Sequence, residues 1–249
     1  MLKIVLLGGG NLANHLAKSF FKTKNIKLCQ IYNRTLTHIK HFESDTKITD
    51  KIETIMPADI YILAVKDSAI ESLSKHLQNL NGLLAHTSGA MSLKILKAVK
   101  RTGVFYPLQT FTKDREVNFM NVPICVETTN KKDEILINTL ANSISNHVFK
   151  INSTQRKSLH IGAVFVNNFV NHLYRISEDL CVKNQVPFKL LHPLITETAQ
   201  KAILQSPTVN QTGPALRNDI ETMGIHLENL NENQKKIYTL LSEAILKTN

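Results

Sequence analysis

Leu2-Lys3-Ile4-Val5-Leu6-Leu7-Gly8-Gly9-Gly10-Asn11-Leu12-Ala13, at the start of the chain, decides the reading of its fold. The apolar, β-branched run Lys3–Leu7 reads as a buried strand, and Asn11–Lys22 carries helical apolar spacing. The glycines between them fit Gly-x-Gly-x-x-Ala. Gly8 permits a tight turn, Gly10 lets the backbone approach a pyrophosphate, and Ala13 lets helix and strand pack closely. The free N–H groups of the first helical turn, with Asn11 and Leu12, then face the anion. Such a pattern alone is weak. Its place between a strand and a helix, with a second strand at Lys27–Tyr32, makes Met1–Thr35 a dinucleotide-binding βαβ unit.

The second strand ends in Asn33-Arg34-Thr35, where an NAD-binding chain places Asp or Glu to bond the ribose 2′-hydroxyl. A carboxylate would repel a 2′-phosphate, whereas the planar fork of Arg34 pairs with it and Thr35 adds a hydroxyl donor. NADP is therefore the expected cofactor; the alternative is that Arg34 is a solvated loop arginine.

Outward from this unit, short β-branched runs alternate with helical patterns, the signature of a parallel sheet covered on both faces. Seven strands are expected, at Lys3–Leu7, Lys27–Tyr32, Ile60–Val65, Leu83–His86, Val104–Tyr106, Ile124–Val126 and His147–Ile151. Helices are expected at Asn11–Lys22, Ser68–Gln78, Ser92–Arg101 and Lys132–Ile144. From Ser153, a candidate cap together with Thr154, long apolar-periodic segments take over: one to about Lys183, one over Lys189–Gln205 with Pro193 as a bend, one from Pro214, and one over Asn231–Lys247. The expected architecture is α/β, a Rossmann-type mostly parallel sheet in residues 1–152 followed by an all-α domain in 153–249.

Composition narrows the class. The chain of 249 residues carries 30 Lys and Arg against 20 Asp and Glu, but its lysines are scattered, which suits an anionic cofactor better than nucleic acid. Cys29, Cys125 and Cys181 are odd in number and lack ligand spacing, so neither disulfides nor a metal site is expected, and the protein reads as cytoplasmic. The amino-terminal apolar run is too short for a signal peptide, and no stretch approaches the roughly 20 apolar residues of a membrane span.

Gly8-x-Gly10, Asn33-Arg34-Thr35 and Ala64-Val65-Lys66 resemble the cofactor domain of the superfamily containing pyrroline-5-carboxylate reductase, 3-hydroxyisobutyrate dehydrogenase and the F420-dependent NADP reductases. The resemblance implies cofactor contacts for Ala64, Val65 and Lys66. His86-Thr87-Ser88-Gly89-Ala90, Tyr106-Pro107-Leu108-Gln109-Thr110-Phe111 and Gln211-Thr212-Gly213-Pro214-Ala215 more closely resemble a bacterial Rossmann-like family with a carboxyl-terminal DUF2520 domain. That family is labelled as NADP oxidoreductases, so the resemblance implies fold and cofactor but no substrate, and it leaves F420 open as hydride partner. One departure stands out: the hydroxyacid dehydrogenases of the superfamily carry a catalytic lysine three positions before an Asn-Asn pair, and before Asn167-Asn168 this chain has Val164.

Candidate chemistry follows the long helix after Ser153, where about 100° per residue aligns His160, Val164, Asn167 and Asn171. In a reductase, His160 donates a proton to a carbonyl or imine while Asn167 and Asn171 orient the substrate; otherwise these groups bond neighbouring helices. His86, at a strand's carboxyl end, is a candidate for the nicotinamide end or a capping residue, and Tyr106 an acid or a wall residue. Thr212 and Arg217 are candidates for an anionic substrate, or else parts of a helix-start turn with an ion pair. Glu197 and Lys201 form a structural i,i+4 pair. The expected function is an NADP-dependent oxidoreductase acting on a small carbonyl or imine between two domains, the alternative a non-catalytic NADP-binding sensor. Because the helix 161–170 is apolar nearly all round, a homodimer through the carboxyl-terminal helices is expected; the alternative is that this helix is the central one of a compact monomeric bundle.

Overall fold

Both Ile4 and Leu6 on one face and Val5 and Leu7 on the other are fully buried, which explains why the first strand is a continuous apolar run and not an alternating one. In the computed structural model, which describes residues 1–113 and 115–248, this strand, β1 (Leu2–Leu7), lies inside an eight-stranded sheet. The others are β2 (Ile26–Tyr32), β3 (Lys47–Thr49), β4 (Ile60–Leu63), β5 (Leu83–His86), β6 (Thr102–Pro107), β7 (Ile124–Thr128) and β8 (Val148–Lys150). Their order is β3-β2-β1-β4-β5-β6-β7-β8. The first six strands of this row are parallel; β7 runs antiparallel to β6 and pairs parallel with β8. A parallel return needs a long crossover, usually a helix. Among its described residues the connection from β6 to β7 holds a single 3-10 turn, Phe119–Asn121, and the chain reverses.

Helices α1 (Asn11–Lys22) and α3 (Lys131–Ile144) place Leu16, Phe20, Ile137 and Leu140 against Ile4, Leu6 and Phe105. On the other face α2 (Asp67–His76) and the segment after β5 bury Ile70, Leu96 and Val99 against Val5, Leu7, Tyr61 and Leu84. Each fully buried aliphatic side chain stabilises by roughly 1.5–3 kcal/mol. The helix expected at Ser92–Arg101 is instead a 3-10 turn, Leu93–Leu96, because Leu96 and Val99 reach the core from a single turn and Arg101 is drawn away to Asp133 at 2.9 Å. The edge strand β3 was not among the seven expected.

Asn152, not Ser153 or Thr154, caps α4 (Ser153–Ala163): its side chain accepts from the Gln155 amide and its own backbone N–H donates to the Gln155 side chain, a capping box. The helix passes through a π-helical segment, Val164–Phe169, into α5 (Val170–Lys183). Then follow α6 (His192–Leu204), α7 (Pro207–Asn210), α8 (Ile220–Glu228) and α9 (Glu232–Thr248). Pro193 sits in the first turn of α6, where its missing N–H costs nothing, so it does not bend the helix. Pro214 precedes a turn, and α8 begins only after Asp219, whose carboxylate accepts from the Thr222 amide at 3.1 Å. Packing divides the chain into Met1–Asn168 and Phe169–Asn249, so α4 goes with the sheet although the last strand ends at Lys150. In the second unit Ala215 is the one buried residue among those described. Among the described residues no helix is long and apolar enough to cross a membrane.

Candidate cofactor cleft and active site

Gly8 has φ +138°, and a Cβ there would stand 2.1 Å from the Ala64 carbonyl oxygen, so the turn after β1 admits only glycine. Gly10 differs: its φ of −81° suits any residue, and a Cβ would meet nothing within 4 Å. What glycine preserves at that point is room. It leads into α1, which has no side-chain cap and no acidic residue in its first turn. The Asn14 amide bonds the Gly10 carbonyl at 3.0 Å, leaving the amides of Asn11, Leu12 and Ala13 ahead of the helical ladder and available to an anion. The Asn14 side chain locks the loop, donating to the carbonyls of Gly10 at 2.9 Å and Gly9 at 3.2 Å and accepting from His41 Nε2 at 2.7 Å.

This loop forms one wall of a cleft of about 1350 Å³. The sequence-predicted Gly8, Gly10, Asn11, Asn33, Arg34, Thr35, Ala64, Val65 and Lys66 all line it. Leu12 does not; its side chain packs on the core. Among the described lining residues stand Lys18, Arg34, Lys66 and Lys113 and four histidines, and no Asp or Glu. Asn33 shapes the end of β2, donating from its side chain to the Thr35 carbonyl at 2.8 Å, and leaves Arg34 and Thr35 exposed in the cleft. A wall of this charge, with a glycine turn and unpaired helix amides, fits a dinucleotide carrying an extra phosphate. Sequence reading missed Asn14 and Lys18, which share the Asn11 face of α1 at spacings of three and seven, a detectable signal.

Further along the same carboxyl edge, after β5 and β6, lies a second cluster. The Tyr106 hydroxyl is 3.0 Å from His160 Nδ1, the rings edge-on with centroids 6.0 Å apart. Gly89 lies against both: a Cβ would stand 2.6 Å from His160 Nδ1 and 2.7 Å from Tyr106 Cζ. Burial, and then the neighbouring Cys125, push the Tyr106 phenol up to about 12, with Arg156 pulling the other way. Arg156, 1% exposed, pairs with Glu127 and donates to the carbonyls of Ser88 at 3.2 Å and Met91 at 2.6 Å. It thereby ties α4 to β7 and to the loop after β5. Thr87 and Ser88 serve that loop: Thr87 Oγ1 donates to the Leu63 carbonyl at 3.1 Å, and Ser88 Oγ accepts from the amides of Ala90 and Met91 at 3.2 and 3.0 Å.

His86 is fully buried; Nδ1 accepts from the Ser88 amide at 3.1 Å, while Nε2 has no hydrogen-bond partner among the described residues. Burial, followed by the Arg156 charge, lowers its pKa to about 3, so the ring is neutral, although the Ser92 carbonyl pulls the other way. Asn167 is exposed within the π-helical segment. There i→i+5 bonding packs more residues into each turn than an α-helix does, so Asn167 leaves the stripe that α-helical spacing draws through His160 and Val164. Asn171, Thr212 and Arg217 are exposed in the second unit. Thr212 precedes Gly213, whose φ is +111°, and Arg217 lies in the turn before the Asp219 cap. Glu197 and Lys201 form the expected i,i+4 pair at 3.1 Å.

Comparison with known proteins bears on this arrangement. A family described as a domain of unknown function, DUF2520, matches residues 122–245, and one described as NADP oxidoreductase, coenzyme F420-dependent, matches residues 3–85. A Bacteroides fragilis protein named "putative NADP oxidoreductase" is 37% identical, with a TM-score of 0.91 over 99% of this chain and 98% of its own. A Thermotoga maritima protein, 20% identical, aligns over 98% of this chain and 97% of its own with a TM-score of 0.72. A pyrroline-5-carboxylate reductase from Streptococcus pyogenes, 16% identical, covers 99% and 97% with a TM-score of 0.63; these last two show the fold alone. No protein of curated function matches the chain.

Proposed function

This chain belongs to the Rossmann-like DUF2520 family, whose fold is of the NADP-oxidoreductase type, and on that premise we propose that it is an NADP-dependent oxidoreductase of a small carbonyl or imine compound. The observation that carries the reading is the cationic cleft, free of acidic side chains among the described residues, with Arg34 at its rim. Bound NADPH would supply hydride. The chain's own task is to hold the pyrophosphate on the Gly8–Gly10 turn and the α1 amides, to pair Arg34 and Thr35 with the 2′-phosphate, and to deliver a proton. His160, half-exposed at the carboxyl edge, is the proton donor; Asn167, Asn171, Thr212 and Arg217 are the groups to test for substrate orientation. His86 supports the loop after β5 from below, since a fully buried ring touches substrate only if that loop opens.

The second unit we read as one half of a homodimer. Its large apolar side chains lie open, Ile203 at 83% and Leu204 at 80%, on helices that bury almost nothing of their own. Such side chains occur on α5, α6, α7, α8 and α9 alike, too widely for a single docked peptide, and two-fold pairing of identical surfaces is the commonest closure.

Titration with NADPH and NADP, followed by a screen of aldehydes, keto acids and cyclic imines for NADPH consumption, tests the reading. Tight NADPH binding with turnover supports an enzyme; binding without turnover of any compound supports a cofactor sensor; absence of binding removes both.

A further inference from the structure

We propose that Tyr106 is a positioning residue for His160: its phenol donates to Nδ1 and fixes the imidazole in the tautomer that presents an Nε2 proton to the substrate. The role rests on the reductase reading above, whereas the hydrogen bond itself can be tested without it. Tyr106 is 9% exposed, and among the described residues His160 Nδ1, at 3.0 Å, is the one hydrogen-bond partner of its hydroxyl. Buried hydroxyls are paired. If the imidazole were the donor, the phenol proton would be left buried without an acceptor, so the satisfied arrangement runs from tyrosine to histidine. A phenol pushed up to about 12 keeps its proton at neutral pH and remains that donor.

Sheet order places the pair where the chemistry would be. With its adenosine end at Arg34 after β2 and its pyrophosphate at the turn after β1, a dinucleotide must extend its other half past β4 toward β5 and β6. Gly89 and Tyr106 follow or end those two strands. As the substrate carbon accepts the hydride pair, its oxygen or nitrogen becomes anionic and takes the proton from His160 Nε2. The Nε2–H bond breaks as the new O–H or N–H bond forms. Nδ1 takes the Tyr106 proton in the same displacement; half-exposed His160 then regains a proton from solvent at Nε2 and returns the Nδ1 proton to the phenolate, so no further oxidant or reductant enters.

Gly89 supplies an independent handle, because its absent Cβ is what lets the two rings meet under the loop. The test is 15N NMR of the full chain labelled at histidine, with His160→Gln identifying the resonances. The expected spectrum has a protonated Nε2 and an unprotonated, hydrogen-bonded Nδ1, and Tyr106→Phe moves Nδ1 toward a free imine nitrogen. Gly89→Ala wedges the rings apart and gives the same shift should the phenylalanine variant fail to fold. A proton on Nδ1 in the wild type, or an Nδ1 resonance unmoved in the folded variants, overturns the proposal. With a substrate in hand, Tyr106→Phe lowers kcat by about tenfold or more and leaves KM within about twofold; an unchanged kcat overturns it as well. Failure of the wild type to consume NADPH with any compound counts against the reductase reading, and the NMR result still decides the hydrogen bond.

Discussion

Arg34 stands exposed in the cleft and has no carboxylate partner among the described residues, so its removal takes little from the folded state. Arg34→Ala is expected to weaken NADP binding by about 1–3 kcal/mol and to leave NAD nearly unchanged, as calorimetry with each cofactor will read. Equal losses would place the 2′-phosphate elsewhere. Gly10→Leu is expected to abolish binding of both while preserving the melting temperature, because the added side chain enters open space that the pyrophosphate needs. His86 acts on stability instead. Its folded pKa of about 3 lies below the ordinary 6.5, so between these values the unfolded chain binds the extra proton. Stability from this group is fully present above pH 6.5 and falls by about 1.4 kcal/mol per pH unit as pH drops toward 3. Urea unfolding of wild type against His86→Gln across pH 4–7 checks it: parallel profiles would sink the assignment. The turn glycines and Arg34 were legible in the sequence because a motif fixes their spacing. Arg156 was not, since its partners Glu127 and Ser88 lie 29 and 68 positions away and only the fold brings them together.

At the scale of elements, α4 is held to the sheet by the Arg156–Glu127 pair, whose side chains are 1% and 17% exposed. Ser153 Oγ also donates to Glu127, at 2.8 Å. Arg156→Met leaves that carboxylate largely buried without its counterion, and a loss of about 3–5 kcal/mol in urea unfolding is expected. Replacing Glu127 as well, in Arg156→Met/Glu127→Leu, should recover part of the loss; a double variant no better than the single would show that packing, not charge, holds the helix. Helix α1 was legible from end to end because both of its neighbours are strong signals, the glycine turn before it and the buried strand after it. The three residues of β3 gave no comparable signal, since partly exposed Lys47-Ile48-Thr49 acquires its strand character from pairing with β2. The π-helical segment was invisible for a related reason. Val164–Phe169 reads as ordinary apolar helix, and the additional residue per turn changes which side chains share a face without changing composition.

For the whole molecule, light scattering at micromolar concentration is expected to give twice the 28.0 kDa of one chain. A monomer mass would leave the apolar side chains of the second unit unexplained and overturn the dimer. The manner of association is also constrained from the other end of the chain. A sheet of eight strands has two rims of unpaired backbone, and rims of that kind recruit strands from neighbours until a fibre grows. Here each rim is a strand of only three residues, β3 and β8, and each bears a lysine, Lys47 or Lys150. Either rim offers an incoming strand few ladder bonds and a charge to bury. Strand-by-strand growth is thereby disfavoured at both rims, whichever surface the proposed dimer uses.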